Sequence, residues 1–362
     1  MRALAFLFAG LLISTSPALS QDAPEKKPGP TEKGAEKGTE KSQEKKRGKR
    51  GPQVQGARYQ LGKDSLPQAD VPKGRLEGPF VFHSNVLENT VRKYWIYVPA
   101  GYDKNSPACV LVFQDGARAV NPEGVLRVPQ VLENLIHRKE IPVTIGIFIT
   151  PGQRGSEFPD SIGTGNPNNR SVEYDSLGDA YARFIVEEML PELGKKYNLT
   201  KDPAGRAIGG SSSGGICAFT VAWERPQEFR NVVSLIGSFT NIRGGHACAK
   251  MVRETPKKPI RVFLQDGIHD NRRPDNPERD WHVQNKAMVA AFEEKGYDAA
   301  HVFGTGAHSD DHGGAILPDM LRWIWRDYPG VVKPAKDPVE AARAVQPATP
   351  AVVPEGAGGK KG

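Results

Sequence analysis

Gly210-Ser211-Ser212-Ser213-Gly214 closes a short apolar stretch, Gly205–Gly209, and opens a helix-like one, Gly215–Trp223. A G-x-S-x-G on a strand-to-helix turn is a nucleophile elbow, in which the glycines admit a cramped backbone that lifts the central hydroxyl above the sheet. Only Ser212 has glycine two positions before and two positions after it; Ser211 and Ser213 do not. The bland alternative is a Gly/Ser-rich turn without chemistry.

A serine hydroxyl is a poor nucleophile until a base accepts its proton, and the base needs a partner that fixes its tautomer. Both follow in the chain, after apolar runs that read as strands. Gln265-Asp266-Gly267-Ile268-His269-Asp270 offers Asp270 as the acid, three residues past a turn glycine, with Asp266 as its rival. Gly304-Thr305-Gly306-Ala307-His308-Ser309-Asp310-Asp311-His312-Gly313-Gly314 offers His308 as the base, with His312 as the rival. A histidine near its ordinary pKa of ~6.5 predicts activity rising through that region of pH. An oxyanion needs two preorganised donors. The backbone N–H of Ser213 is one candidate, and Gly116, in the loop Gln114-Asp115-Gly116-Ala117, is the other, with Ala117 as an alternative. Two histidines flanking two aspartates also suit a metal, but no zinc or iron ligand pattern recurs, so neither metal nor organic cofactor is expected.

The elements that must position these groups alternate. Strands are expected at 92–99, 108–113, 143–149, 205–209, 231–236, 260–264 and 300–303, and helices at 125–137, after 179, at 215–223, 283–294 and 315–325. The near-continuous apolar runs at 108–113 and 143–149 suit strands covered on both faces. Strand and helix in alternation imply an α/β fold, with a mostly parallel central sheet and helices on both faces, in a single domain.

Composition bounds the rest. Residues 1–20 read as a secretory signal peptide: Arg2, an apolar core over 3–13 and a small-residue stretch ending Ala18-Leu19-Ser20. No other segment is apolar enough to span a bilayer, so an exported, secreted or periplasmic protein is expected. Residues 21–56 are a Lys/Glu/Gly/Pro linker expected to be disordered, and 331–362 a similar tail. The formal charge of +7 lies entirely in these ends, leaving 57–330 neutral and giving no support for a nucleic-acid groove. Of the three cysteines, Cys109 and Cys217 fall on a strand and a helix and are expected to be buried and inert. Cys248 falls in a loop-like stretch, and the spacing predicts no pairing.

On Lys93–Pro99, on Asn169-Arg170-Ser171-Val172-Glu173-Tyr174-Asp175, and on the elbow from Ile208 to Gly215, the chain resembles the secreted esterase family that includes enterochelin, feruloyl and acetylxylan esterases. The resemblance implies an α/β-hydrolase fold over about 92–327, with Ser212 as nucleophile, Asp270 as acid and His308 as base. Ser211 stands where the enterochelin branch usually has glutamine. The expected function is an exported serine esterase working through an acyl-enzyme on carbohydrate, feruloyl-type or siderophore esters. Arg243, Arg272 and Arg273 are candidates to meet an acidic substrate, with ordinary surface arginines the commoner alternative. The alternatives are an acyltransferase to a sugar hydroxyl and a catalytically silent carbohydrate- or surface-binding protein.

Overall fold

Five strands of this chain are buried at every position, as strands covered on both faces are. The computed structural model describes residues 56–159 and 169–352. The expected signal peptide, nearly all of the linker and the last ten residues lie outside that range. Among the described residues the strands are β1 (Arg75–Ser84), β2 (Thr90–Val98), β3 (Cys109–Gln114), β4 (Thr144–Ile149), β5 (Gln153–Arg154), β6 (Arg206–Ser211), β7 (Asn231–Leu235), β8 (Arg261–Gly267) and β9 (Asp298–Gly304). The helices are α1 (Gly116–Ala119), α2 (Val128–His137), α3 (Arg170–Tyr174), α4 (Ala180–Arg183), α5 (Leu190–Gly194), α6 (Ser213–Glu224), α7 (Cys248–Glu254), α8 (Trp281–Glu294), α9 (Asp311–Ile324) and α10 (Pro338–Ala344). A π-helical segment, Phe184–Met189, joins α4 to α5.

The strands form one sheet in the order β1-β2-β4-β3-β6-β7-β8-β9, with β5 paired to β2. Pairings that involve β2 are antiparallel, and all others are parallel. Alternate residues of each central strand serve opposite cores. Val110, Val112, Ile208, Val232, Val262 and Leu264 pack with α4 to α8. Leu111, Phe113, Ala207, Val233 and Phe263 pack with α2, α9 and α10. Ser211 pairs with Leu235, Leu235 with Gln265, and Gly267 with Gly304, so the carboxyl ends of β6, β7, β8 and β9 stop together at one edge. Loops leaving those ends share a site by construction. No described helix is long and apolar enough to cross a membrane.

Four features depart from the sequence expectations. β1 is an edge strand exposed along most of its length, so it carries no apolar alternation to betray it. The helix ending at Ile324 begins at Asp311, not at 315, because Gly313 and Gly314 are inside its first turns rather than in a loop. Cys248 opens α7 and is fully buried, not in a loop. Part of the tail expected to be disordered from 331 instead forms α10. Asp337 accepts hydrogen bonds from the N–H groups of Val339 and Glu340, Pro338 fits the first turn, and Ala342 is buried in the α2/α9 core. Beyond it, Ala348 N–H donates to the Arg58 carbonyl at 2.8 Å, so both ends of the described chain are tied together.

The motif at 169–175 is anchored by a buried charge pair. Arg92 donates from both terminal nitrogens to Glu173, at 3.0 and 3.1 Å, and neither side chain is more than 2% exposed. Thr90 accepts a third Arg92 hydrogen bond at 2.7 Å. Glu173 also receives the Gly152 N–H at 2.8 Å and the Asn169 amide at 2.9 Å. Removing one partner of such a pair leaves the other charge buried and uncompensated. Glu173→Ala is expected to lower the unfolding free energy by about 3–5 kcal/mol in urea denaturation; a loss below ~1 kcal/mol would mean that water reaches Arg92.

Candidate active site

β6 ends at Ser211 and α6 begins at Ser213, so the turn between them is a single residue. Ser212 has φ 58° and ψ −120°, a conformation costly for a side-chain-bearing residue. The turn is held by its backbone: Ser212 N–H donates to Leu235 O at 2.9 Å, and Gly215 N–H and Ser238 N–H donate to Ser212 O at 2.9 and 3.0 Å. Glycine at 210 is a steric requirement, since a Cβ there would lie 2.6 Å from the carbonyl carbon of Gly214. The outcome is a serine side chain aimed away from the sheet, where the sequence pattern puts it.

Ser212 Oγ lies 2.9 Å from His308 Nε2, and His308 Nδ1 lies 2.6 Å from Asp270 Oδ1. The aspartate accepts, which fixes the proton on Nδ1 and leaves Nε2 free to accept from the serine. His308 and Asp270 come from neighbouring loops, after β9 and β8, and those loops are stitched together by His269 N–H donating to Gly306 O at 3.1 Å. Asp270 is fully buried. The rivals have other partners. Asp266, also fully buried, pairs with His282 Nδ1 at 3.1 Å. His312 stacks on Tyr59 with ring centres 4.2 Å apart and meets Gln265 at 3.2 Å.

Burial sets the electrostatics. It pushes Asp270 up to about 7, with the neighbouring Asp266 carboxyl group acting to lower it and Asp280 adding a smaller push upward. It pulls His308 down to about 4, with Arg170 and Arg118 acting in the same sense and Asp266 and Asp310 opposing. Both shifts express one fact, that the pair is poorly hydrated and resists carrying separate charges.

Two groups at this site carry no sequence signal. Ser238 Oγ is 3.1 Å from Ser212 Oγ and accepts from the indole N–H of Trp281 at 3.2 Å. With Ser212 donating to His308, the Ser238 hydroxyl is free to donate to Ser212 Oγ. The Trp281 ring meets His308 edge to face, centroids 5.5 Å apart. Ser238 follows the carboxyl end of β7, and that position, between the Ser212 and Asp270 strands, was the available clue.

The loop after β3 joins the site through charge. Asp115, in a left-handed conformation at φ 55°, is gripped by Arg170 through Nε at 2.8 Å and Nη2 at 2.7 Å. Arg170 also donates to Ser211 O at 3.2 Å, and Ser213 Oγ donates to Asp175 at 3.0 Å. Ser211 Oγ bonds Asp310, which pairs with Arg118 at 3.5 Å. Gly116 opens α1 against β4, where a Cβ would come within 2.5 Å of the Phe148 carbonyl carbon. Of the three arginines singled out, Arg272 is occupied by Asp280 at 2.9 Å, the residue that caps α8. The backbone N–H of Arg273 donates to the same carboxylate at 2.7 Å. Arg243 is exposed, with Nε 3.4 Å from Ser171 Oγ.

Comparison with known proteins agrees with this architecture. The chain is 23% identical over 209 residues to the "Uncharacterized protein YbbA" of Bacillus subtilis (strain 168), covering 57% of this chain and 80% of that one. The enterobactin esterase FES of Shigella flexneri superposes with a TM-score of 0.55 at 21% identity, covering 72% of this chain. The chain spans 61% of that esterase's length. A ferulic acid esterase of Anaeromyces mucronatus, solved with ferulic acid, superposes with a TM-score of 0.54 at 14% identity, covering 73% of this chain and 97% of its own. At these identities the superpositions carry the fold, an α/β-hydrolase-type sheet with helices, as the sequence pattern implied. The family model described as "Putative esterase" matches residues 84–324, which run from the end of β1 to the end of α9 and include every group of the site, and the chain belongs to that family.

Proposed function

We propose that this protein is an exported serine esterase that cleaves carboxylic esters through an acyl-enzyme. The observation that carries the reading is the hydrogen-bonded sequence Ser212–His308–Asp270 at the ends of three strands. Membership of an esterase family supports ester hydrolysis as the reaction class. Export rests on the leader read at residues 1–20.

In the proposed cycle Ser212 Oγ attacks the acyl carbon while His308 Nε2 takes its proton. Asp270 keeps the proton on Nδ1 and stabilises the imidazolium that forms. The tetrahedral oxyanion receives the N–H of Ser213, at the open first turn of α6, and that of Gly116, at the first position of α1. Collapse expels the alcohol, which takes the proton from His308. Water then attacks the acyl carbon, giving up a proton to His308, and Ser212 leaves with that proton. Ser238 assists by donating to Ser212 Oγ as charge builds there. The substrate class is a small-molecule or polysaccharide ester, for which the feruloyl and enterobactin esters of the structural neighbours are first candidates. Arg243, exposed and held by one long hydrogen bond to Ser171, remains a candidate to meet an acidic substrate.

Ser212→Ala is expected to lower kcat on p-nitrophenyl acetate by at least ~10³-fold, with the fold intact by circular dichroism; a loss of only a few-fold would remove Ser212 from the nucleophile's role. The acid limb of the pH profile is set by the pair. Its reactive form, neutral imidazole beside ionised carboxylate, appears when the pair loses its last shared proton, so the upper step governs. kcat/KM is therefore expected to rise with pH through about 7, the value to which burial brings Asp270. A limb centred near the lower step, about 4, would show the imidazole titrating alone beside a carboxylate already ionised. With a sugar alcohol present as a competing acceptor, free acid is expected as the main product by chromatography; a dominant sugar ester would make the protein an acyltransferase.

A further inference from the structure

Asp266 is a second buried carboxyl group at this site, and the cycle above does not use it. It occupies the penultimate position of β8, four residues before Asp270, and both side chains are fully buried. The two groups lie within hydrogen-bonding reach of each other. Asp270 Oδ1 is taken by His308 and Asp266 Oδ2 by His282. The remaining oxygens, Asp270 Oδ2 and Asp266 Oδ1, are both buried with no partner that can donate among the described residues.

Two ionised carboxylates so placed would repel one another and leave two lone-pair sites dry, each a costly arrangement. An imidazolium at His282 would neutralise one charge but would leave both orphan oxygens unmet. A single proton between the carboxyl groups removes the repulsion and satisfies both oxygens. We propose that Asp266 remains protonated while the enzyme works and donates its Oδ1–H to Asp270 Oδ2, as a positioning residue that holds the carboxylate in line with His308. The positioning role rests on the hydrolase reading of Ser212 and His308; the shared proton does not.

Both orphan oxygens are then met within one row. His282 Nδ1–H donates to Asp266 Oδ2, Asp266 Oδ1–H to Asp270 Oδ2, His308 Nδ1–H to Asp270 Oδ1, and Ser212 Oγ–H to His308 Nε2. The row carries one negative charge, and the other charged groups facing it are Asp280 towards Asp270, and Asp310, Arg170 and Arg118 towards His308. The directions of shift agree, since burial and the neighbouring Asp270 drive Asp266 far above the ordinary carboxyl range while its hydrogen bond lowers Asp270.

The test compares Asp266→Asn with Asp266→Ala in the full chain. Asparagine keeps a donor for Asp270 and an acceptor for His282; alanine keeps neither. Asp266→Asn is expected to hold kcat within about threefold, with the acid limb in place. Asp266→Ala is expected to lose about 10–100-fold in kcat at little change in KM, and to move the acid limb upward by about one pH unit because Asp270 has lost a stabilising donor. Infrared difference spectra at pH 8 between the wild type and Asp266→Asn read the proton directly and need no turnover. An un-ionised carboxylic acid carbonyl band, shifting in D2O and missing from the asparagine variant, is expected. Carboxylate bands alone in that difference, or equal losses in the two variants, would overturn the proposal. A band that is present in a protein whose Ser212→Ala variant still turns over would sink the hydrolase reading and leave the shared proton standing.

Discussion

Charge taken out of water has to be met by a partner, and that constraint organises one whole side of this molecule. Arg92–Glu173, Arg170–Asp115 and His308–Asp270 are all nearly or fully withdrawn from solvent on at least one side of the pair. Each is closed by further hydrogen bonds rather than left as a bare ion pair. Buried pairs of this kind contribute little net stability against an apolar replacement, but they are intolerant of misalignment. They act as registration marks. Arg92–Glu173 fixes where α3 starts, α3 carries Arg170 to Asp115 and Asp175 to Ser213, and the loop after β3 and the elbow are thereby placed relative to each other.

The elbow answers a related constraint on the backbone. A residue at φ 58° and ψ −120° persists only where its surroundings over-determine it. Here three backbone hydrogen bonds, from and to β7, its following loop and α6, do so. The strand ladder supplies the rest, because Ser211, Leu235 and Gln265 stand in one row across β6, β7 and β8. A slip of one residue in any of these pairings would invert that strand's side chains between the two cores, so hydrophobic burial and site geometry enforce the same register.

Much of this was legible in the sequence because chemistry and burial leave different marks. The apolar runs at 108–113 and 143–149 announced covered strands, and the glycines around Ser212 announced the turn. Asp270 was separable from Asp266 only by its distance from the strand end, because both are fully buried carboxyl groups that each meet a histidine, His308 for Asp270 and His282 for Asp266. β1 was invisible because an exposed edge strand needs no apolar face. The Gly313-Gly314 pair hid the start of α9, since glycine in a first helical turn reads as loop until its packing is seen. α10 was hidden by composition, although Asp337-Pro338 is a helix-start signal. Ser238 and Trp281 carry no motif, and their contribution lies in which strand end and helix start they occupy.

The contacts around Ser212 also separate what must stay rigid from what is free to vary. Ser211 with Asp310, Ser213 with Asp175, Arg170 with Asp115 and with the Ser211 carbonyl, and His269 with Gly306 each join two segments distant in the chain. A bond between such segments removes their independent motion, and that preorganisation is what allows donors to be aimed at charge that exists only in the transition state. Arg272 shows how far the chain of support extends. Its hydrogen bond to Asp280 braces the residue that caps α8, and α8 begins with Trp281, which touches both His308 and Ser238. Arg272 is thus a partly exposed arginine tied to a structural carboxylate. Arg243 has one long hydrogen bond and an exposed side chain, so it can exchange partners without disturbing the hydrogen-bonded row behind Ser212. On the hydrolase reading proposed above, a change at such an exposed position would reach the substrate before it reached the bonds that cross between segments around Ser212.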